Sequence, residues 1–206
     1  MVKKESTLKN MTISLLTVAL LSSASLAFVY KITKEPIEKS VKQKKENAIK
    51  EVIPAFDNSP SAQMFKVDAG DGDSLVFYPG KLNDSLTGMA VETFSDKGFS
   101  GRIFIMVGFL PDGSIYNTSV LSHTETPGLG DKMEKSKSFD KNTQSWWSKQ
   151  FNGKNPGIFK LKVKKDGGDV DAITAATISS RAFSDAVSKA HATYMDYLKA
   201  KAKNNE

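Results

Sequence analysis

Arg102-Ile103-Phe104-Ile105-Met106-Val107-Gly108-Phe109-Leu110-Pro111-Asp112-Gly113-Ser114-Ile115-Tyr116-Asn117-Thr118-Ser119-Val120-Leu121-Ser122 is the stretch on which the fold turns. Pro111 to Ser114 is a strong turn signal, because proline presets φ while Asp and Gly accept the conformations that close a turn. Arg102 to Leu110 supplies one arm. In it Ile103, Ile105 and Val107 alternate less clearly than the whole run is apolar. Ile115 to Ser122 returns as the second arm, so the stretch is a β-hairpin.

Outward from the hairpin, the chain from about Met64 has the texture of short strands and turns. Ala69-Gly70-Asp71-Gly72 marks a turn, Leu75 to Tyr78 a strand and Met89 to Phe94 another. Gly98-Phe99-Ser100-Gly101 turns the chain into the hairpin. Beyond it, Phe139 to Phe151 reads as a helix or irregular segment carrying Trp146 and Trp147, and Phe159 to Val163 as a strand. From Ile178 to about Ala200, apolar residues at Ala182, Phe183, Ala186, Val187, Ala190, Tyr194, Tyr197 and Leu198 form one stripe of a long amphipathic helix. There is no long-period repeat and no low-complexity linker. Residues 54–206 therefore read as one α+β domain of antiparallel strands with a long C-terminal helix.

The N-terminal part has a different texture. Between Lys9 and Lys31 no residue is charged, and Met11 to Tyr30 is a run of twenty residues rich in Leu, Val and Ala. At ~1.5 Å rise per residue this spans about 30 Å, the thickness of a bilayer's hydrocarbon core. Its hydroxyls, Thr12, Thr17, Ser23 and Ser25 among them, are tolerable in lipid when they bond back to the preceding turn. A cleaved leader is the rival, with Lys3, Lys4 and Lys9 as its basic region and Ser25-Leu26-Ala27 as a cleavage site. The apolar run exceeds the length of a leader's core, which favours a retained anchor. The expected organisation is a cytoplasmic tail over 1–10, a transmembrane helix over 11–30, a helical stalk over 31–53 and the folded domain over 54–206. Pro36 suits the first turn of that stalk, and Pro54 ends it.

Composition excludes several chemistries. The chain of 206 residues has no cysteine, so disulfides, thiolate metal sites, iron–sulfur ligation and Cys nucleophiles are absent. With two histidines, His123 and His191, no His-rich metal site is expected. The net charge of +6 is concentrated at Lys31, Lys34, Lys39, Lys42, Lys44, Lys45 and Lys50, just after the apolar run. That placement fits a helix face near anionic headgroups. Nucleic acid is not expected as a partner, since no motif or aromatic interleaving accompanies the charge.

Two segments can carry chemistry. Ser122-His123-Thr124-Glu125-Thr126-Pro127-Gly128-Leu129-Gly130-Asp131-Lys132-Met133 packs one Pro and two Gly into four residues. Such a loop is either a tight connection or a backbone path that presents N–H groups to a ligand. Val170-Asp171-Ala172-Ile173-Thr174-Ala175-Ala176-Thr177-Ile178-Ser179-Ser180-Arg181 leaves a Gly167-Gly168 turn and enters the long helix. Its hydroxyls serve equally well as caps or as part of a phosphate site, where free N–H groups and the helix dipole favour negative charge.

Asp171-Ala172-Ile173-Thr174-Ala175-Ala176-Thr177 resembles the flavinylation motif of the FMN-binding domain family: Asp, two variable residues, Ser or Thr, Gly or Ala, Ala, Thr. His123-Thr124-Glu125-Thr126-Pro127-Gly128-Leu129-Gly130 resembles the loop that accompanies it, and the turns at Gly98 to Gly101 and Asp112-Gly113 fall where the family has similar ones. The resemblance covers about Met89 to Ser180, plus the anchor. It implies covalent FMN, joined to Thr177 through a phosphoester by a separate flavin transferase. It further implies an electron-transfer subunit of an ion-translocating complex, sharing the membrane with other membrane and peripheral subunits. The cofactor domain would lie on the periplasmic or extracytoplasmic side of the inner membrane. Two complexes fit, an Rnf-type ferredoxin:NAD oxidoreductase and a sodium-translocating NADH:quinone reductase; the short chain, with little insertion before the hairpin, favours the first. A non-redox exported binding domain is the alternative from another class. No catalytic residue and no metal ligand is expected.

The contacts expected around the cofactor are Glu125, Thr126, Gly128 and Leu129 in the loop, with Thr126 and Leu129 against one ring face and backbone N–H groups on its pyrimidine edge. Thr174 is expected on the attachment side, and Ala176 and Ser180 are expected as further cofactor contacts. Asp171 is expected to orient the threonine, to bind the transferase or simply to cap the loop. His123 reads as a structural turn residue, and Trp146 and Trp147 as core or as a surface for partner subunits. Ala175 stands where the family more commonly has Gly; its methyl fits a backbone that is not left-handed.

Overall fold

The computed structural model describes residues 7–70 and 72–203. Lys3 and Lys4, most of the 1–10 tail, and Asp71 in the turn expected at 69–72 lie outside the described residues. The chain divides into two units, Met1–Lys44 and Lys45–Glu206.

In the first unit the described residues from Leu8 onward belong to helix α1, which spans Leu8–Val52 over 45 residues. α1 contains an 18-residue window of mean hydropathy 2.0, none of it buried, long and apolar enough to cross a membrane. The hydroxyls of Thr12, Thr17, Ser23 and Ser25 donate to the carbonyls of Leu8, Ile13, Ala19 and Leu21 at 2.7–2.9 Å. The polar groups of these four side chains are thereby satisfied within the helix. Pro36 does not open a separate stalk helix: it lies inside α1. Proline removes one i→i−4 bond, and the turns on either side carry the helix through.

The second unit is built on a five-stranded antiparallel sheet in sequence order: β1 (Phe65–Asp68), β2 (Ser74–Leu82), β3 (Ser85–Ser95), β4 (Ile103–Phe109) and β5 (Ile115–Ser122). β2 and β3 extend past the expected strands because Asn83 and Asp84, both at positive φ (50° and 60°), close a two-residue hairpin between them. This is the left-handed geometry that Asn and Asp tolerate. After β5 come a short helix, α2 (Lys135–Ser138), and the long helix α3 (Thr177–Lys203).

The strand expected at Phe159 to Val163 does not form. Phe159 N–H bonds to Asn155 O, Lys160 N–H to Asp169 Oδ2 and Lys162 N–H to Lys160 O, so the backbone is satisfied locally and only Val163 bridges to Val170. The Phe139 to Phe151 segment is the irregular alternative, with one bridge between Asp140 and Ser145 and a 3-10 turn over Trp147–Phe151.

Both faces of the sheet are covered. On one, Phe77, Met89, Val91, Ile105 and Val107 join Phe183, Val187 and Tyr194 of α3 in the main core. On the other, Ala48, Ile49, Val52 and Ile53 at the end of α1 pack with Tyr78, Ala90, Met106 and Leu121. Alternate residues of β4 thus meet two apolar layers, which is why its sequence reads as a continuous apolar run. Burial and the Glu92 carboxylate, which accepts Tyr78 O–H at 2.9 Å, push the Tyr78 phenol well above its ordinary range. Lys45 pairs with the same carboxylate at 2.9 Å and ties the end of α1 to β3.

Candidate functional site

The start of α3 is shaped by a turn. Ala176 N–H bonds to Ile173 O at 2.9 Å, closing Ile173-Thr174-Ala175-Ala176, and Ala175 sits at φ 61°. A positive φ at the third position is the demand of a type II turn, which glycine meets without steric cost. The backbone at Ala175 is therefore left-handed, the case in which its methyl is strained, and this explains why glycine is commoner there. Ser180 clamps the turn to the helix: its Oγ accepts Ile173 N–H at 2.9 Å and donates to Ala176 O at 3.0 Å. Arg181 reaches back to Asp166 with two bonds of 2.7 Å, and its guanidinium holds the Asp166 carboxyl below the usual range.

Thr177 follows as the first residue of α3. The first N–H groups of a helix have no intrahelical acceptor. Here those residues, Thr177, Ile178 and Ser179, line a cleft of about 310 Å³. Phe99, Glu125, Thr126, Leu129 and Gly130 complete its walls with Ala175 and Ala176. The lining is largely apolar, with few polar groups, as in small-molecule sites of this size. Phe99 is 68% exposed and Ile178 44%, large apolar groups left at the rim.

The loop opposite α3 is held from beneath. The Glu125 carboxylate accepts Ser100 N–H at 3.1 Å and the Ser179 hydroxyl, linking three segments. Gly130 is needed for this approach, since a Cβ there would press on Ser179 Oγ and Glu125 Cβ at 2.5 and 2.8 Å. Gly128, at φ 78°, turns the loop. Glu125 N–H donates to His123 Nδ1, while His123 Nε2 lies 3.2 Å from Glu134. The histidine is a structural turn residue.

The structure thus brings Glu125, Thr126, Leu129, Ala176 and Thr177 together in one cleft. Thr174 is exposed and Gly128 shapes the loop, and neither lines the cleft; Ser180 is fully buried as the clamp. The Glu125 and Leu129 amides are already used, on His123 and on Thr126 O, so they are not free for a ligand's edge. Asp171 does not orient Thr177: its carboxylate pairs with Lys164 at 2.7 Å and its carbonyl accepts from Trp147 Nε1. Trp147 itself packs edge-on against Phe183 in the core, whereas Trp146 lies beside Phe139 under Lys135 and Lys149.

Gly130 ends the loop expected against the ring, whereas Phe99, Ala175, Ile178 and Ser179 complete the cleft without being expected as contacts. An aromatic side chain flanked by Gly98 and Gly101 in a turn is a legible signal for Phe99. The Ser179–Glu125 pairing, across 54 positions, is not.

An apolar cleft closed by a glycine-bearing loop and the open end of a helix fits a flat ring joined to a phosphate. Residues 98–192 match the FMN-binding domain family, so this is an FMN-binding domain. The G subunit of the ion-translocating oxidoreductase complex of Vibrio atlanticus is 34% identical over 177 residues, 82% of this chain and 81% of that protein. The corresponding protein of Erwinia tasmaniensis is 33% identical over 185 residues, covering 86% and 85%. That of Pasteurella multocida is 32% identical over 198 residues, covering 90% and 93%. The chain belongs to the family of G subunits of the ion-translocating oxidoreductase complex.

Proposed function

We propose that this protein is a single-pass inner-membrane subunit that carries FMN as a phosphoester on Thr177 and passes electrons within an Rnf-type, ion-translocating ferredoxin:NAD oxidoreductase. The observation that carries the reading is the position of Thr177: the first residue of α3, partly exposed, in a cleft whose other wall is the Glu125 to Gly130 loop. The relatives from ion-translocating oxidoreductase complexes favour the Rnf-type complex over the quinone reductase.

Thr177 serves as an attachment point and not as a nucleophile in turnover. A separate flavin transferase joins its hydroxyl to the phosphate. The phosphodiester retains one negative charge, which the open N-terminus of α3 stabilises by about 0.3–1 kcal/mol when exposed and by more when partly buried. Phe99, Leu129 and Ile178 offer apolar surface to the ring, and the left-handed turn at Ala175 leads directly into Thr177. The bound flavin supplies the redox chemistry, and the protein supplies position and electrostatics. α1 anchors the chain, and the cofactor domain faces the periplasmic or extracytoplasmic side, among the membrane and peripheral subunits of the complex. Covalent attachment suits that side, where free FMN is dilute and easily lost.

The test is in-gel flavin fluorescence of the denatured full chain after co-production with a flavin transferase. Wild type is expected to fluoresce and Thr177→Ala to be dark. A fluorescent Thr177→Ala removes Thr177 from the account. A colourless wild type favours the non-redox binding domain.

A further inference from the structure

We infer that Glu125 is the charge that sets the potential of the cofactor in this cleft, as a fixed carboxylate with no counter-cation in the cleft wall. The inference rests on the FMN reading above. Glu125 is 4% exposed, yet it lines the cleft. Its Oε1 accepts Ser100 N–H at 3.1 Å and its Oε2 the hydroxyl of Ser179, itself 2% exposed. Both donors are neutral. Among the described residues no Lys, Arg or His forms an ion pair with Glu125. The neighbouring imidazole meets the Glu125 backbone and not its carboxylate: His123 Nδ1 accepts the Glu125 amide at 3.1 Å. His123 Nε2 is turned to Glu134.

A carboxylate taken out of water without a counter-ion is costly and persists only where hydrogen bonds hold it. Two close packings fix this one. A Cβ on Gly98 would lie 2.7 Å from Glu125 Oε1, and a Cβ on Gly130 would lie 2.8 Å from Glu125 Oε2. The negative charge is therefore held in place, in a wall where water screens it poorly. Reduction adds electron density to a flavin ring. A fixed negative charge nearby opposes that addition and lowers the potential, as a like charge disfavours ionisation of its neighbour.

A purely structural role makes a different prediction. As a tie between the 98–101 turn, its own loop and α3, Glu125 needs its length and its acceptors, not its charge. Glu125→Gln keeps the length and the acceptor for Ser100 N–H; Glu125→Asp keeps the charge and shortens the reach. The two roles rank the two variants in opposite order.

The experiment is spectroelectrochemical titration of full-length wild type, E125Q and E125D, each co-produced with a flavin transferase and purified in detergent. E125Q is expected to shift the oxidised-to-reduced ratio at fixed potential at least tenfold towards the reduced form, about 30 mV for a two-electron couple. E125D is expected to stay nearer wild type. A flavin-loaded E125Q with the wild-type potential overturns the inference and leaves the FMN reading standing. Should E125Q take up no flavin, redox-difference infrared spectra of wild type and E125D, with ¹³C-labelled glutamate carboxyls, decide instead. A labelled carboxylate band that responds to flavin reduction in wild type and is lost in E125D supports the inference, and its absence overturns it. Colourless wild type sinks the FMN reading and this inference with it.

Discussion

On one side of the sheet, the last turns of α1 set Ala48, Ile49, Val52 and Ile53 against Tyr78, Ala90, Met106 and Leu121. At the start of α3, the groups that meet are Glu125, Ser179 and Ser180, buried and polar, around a turn that forces Ala175 to φ 61°. The first region uses apolar burial and one close backbone approach, with none of these residues at positive φ. The second tolerates a left-handed alanine and a carboxylate without a counter-cation. Departures of that kind gather at functional sites, where the surrounding structure must over-determine them. In this protein the surrounding structure is the Ser180 clamp, the Arg181–Asp166 pair and the glycines beside Glu125.

The comparison can be broken most severely on its quiet side. Gly108 meets the end of α1 so closely that an added Cβ would overlap the Val52 carbonyl oxygen. Gly108→Val is expected to cost about 3 kcal/mol or more, at the upper end of overpacking effects, read as a fall in unfolding midpoint of the full chain in detergent. An unchanged midpoint would show that the end of α1 does not rest on β4.

Next in size is the clamp. Ser180→Ala leaves Ile173 N–H buried and unpaired, at a cost of about 1–3 kcal/mol. Because the same bond shapes the approach to Thr177, flavin loading is expected to fall as well. Loss of stability with full loading would separate the clamp from the site.

Ala175→Gly sharpens the contrast from the other direction. It relieves a left-handed alanine, whose penalty is roughly 1–2 kcal/mol, against the greater chain entropy of glycine. A net gain of about 0.5–1 kcal/mol is expected from that balance, with loading retained. A loss would mean that the turn is not strained.

The smallest effect lies outside both regions. Burial beside Phe109 pushes the His191 imidazole below its ordinary 6.5. The unfolded chain then binds more protons than the folded one, so this contribution is complete above about pH 6.5 and is lost as pH falls below it. His191→Gln is expected to flatten that part of the stability–pH curve.

The same contrast governs what local sequence discloses. The hairpin at Ile103 to Ser122, the stripe of α3 and the two chemistry-bearing segments are legible, because periodicity and turn residues declare them locally. β5 coincides with its expected arm to the residue. The β2–β3 hairpin escapes a reading by turn residues because Asn83-Asp84 lacks the glycine that usually marks such a turn. Pro36 reads as a helix start because proline favours the first turn, whereas here the long helix absorbs it. Phe159, Leu161 and Val163 alternate like a strand, but their backbone partners are local. In the cleft, the loop and Thr177 are visible as motifs. Phe99 is signalled by its glycine-flanked turn, but Ser179 is not, since its role depends on a loop 54 positions away brought to it only by the fold. Nor does local sequence disclose the left-handed state of Ala175, which follows from a hydrogen bond between Ala176 and Ile173.

The central claim concerns one side-chain oxygen, and peptide mapping by tandem mass spectrometry of the native, flavin-bearing protein tests it most directly. The account predicts that the peptide containing Thr177 is heavier by one FMN less water, with the added mass on that residue. An unmodified Thr177 in flavin-bearing protein, or the flavin on any other residue, would contradict it.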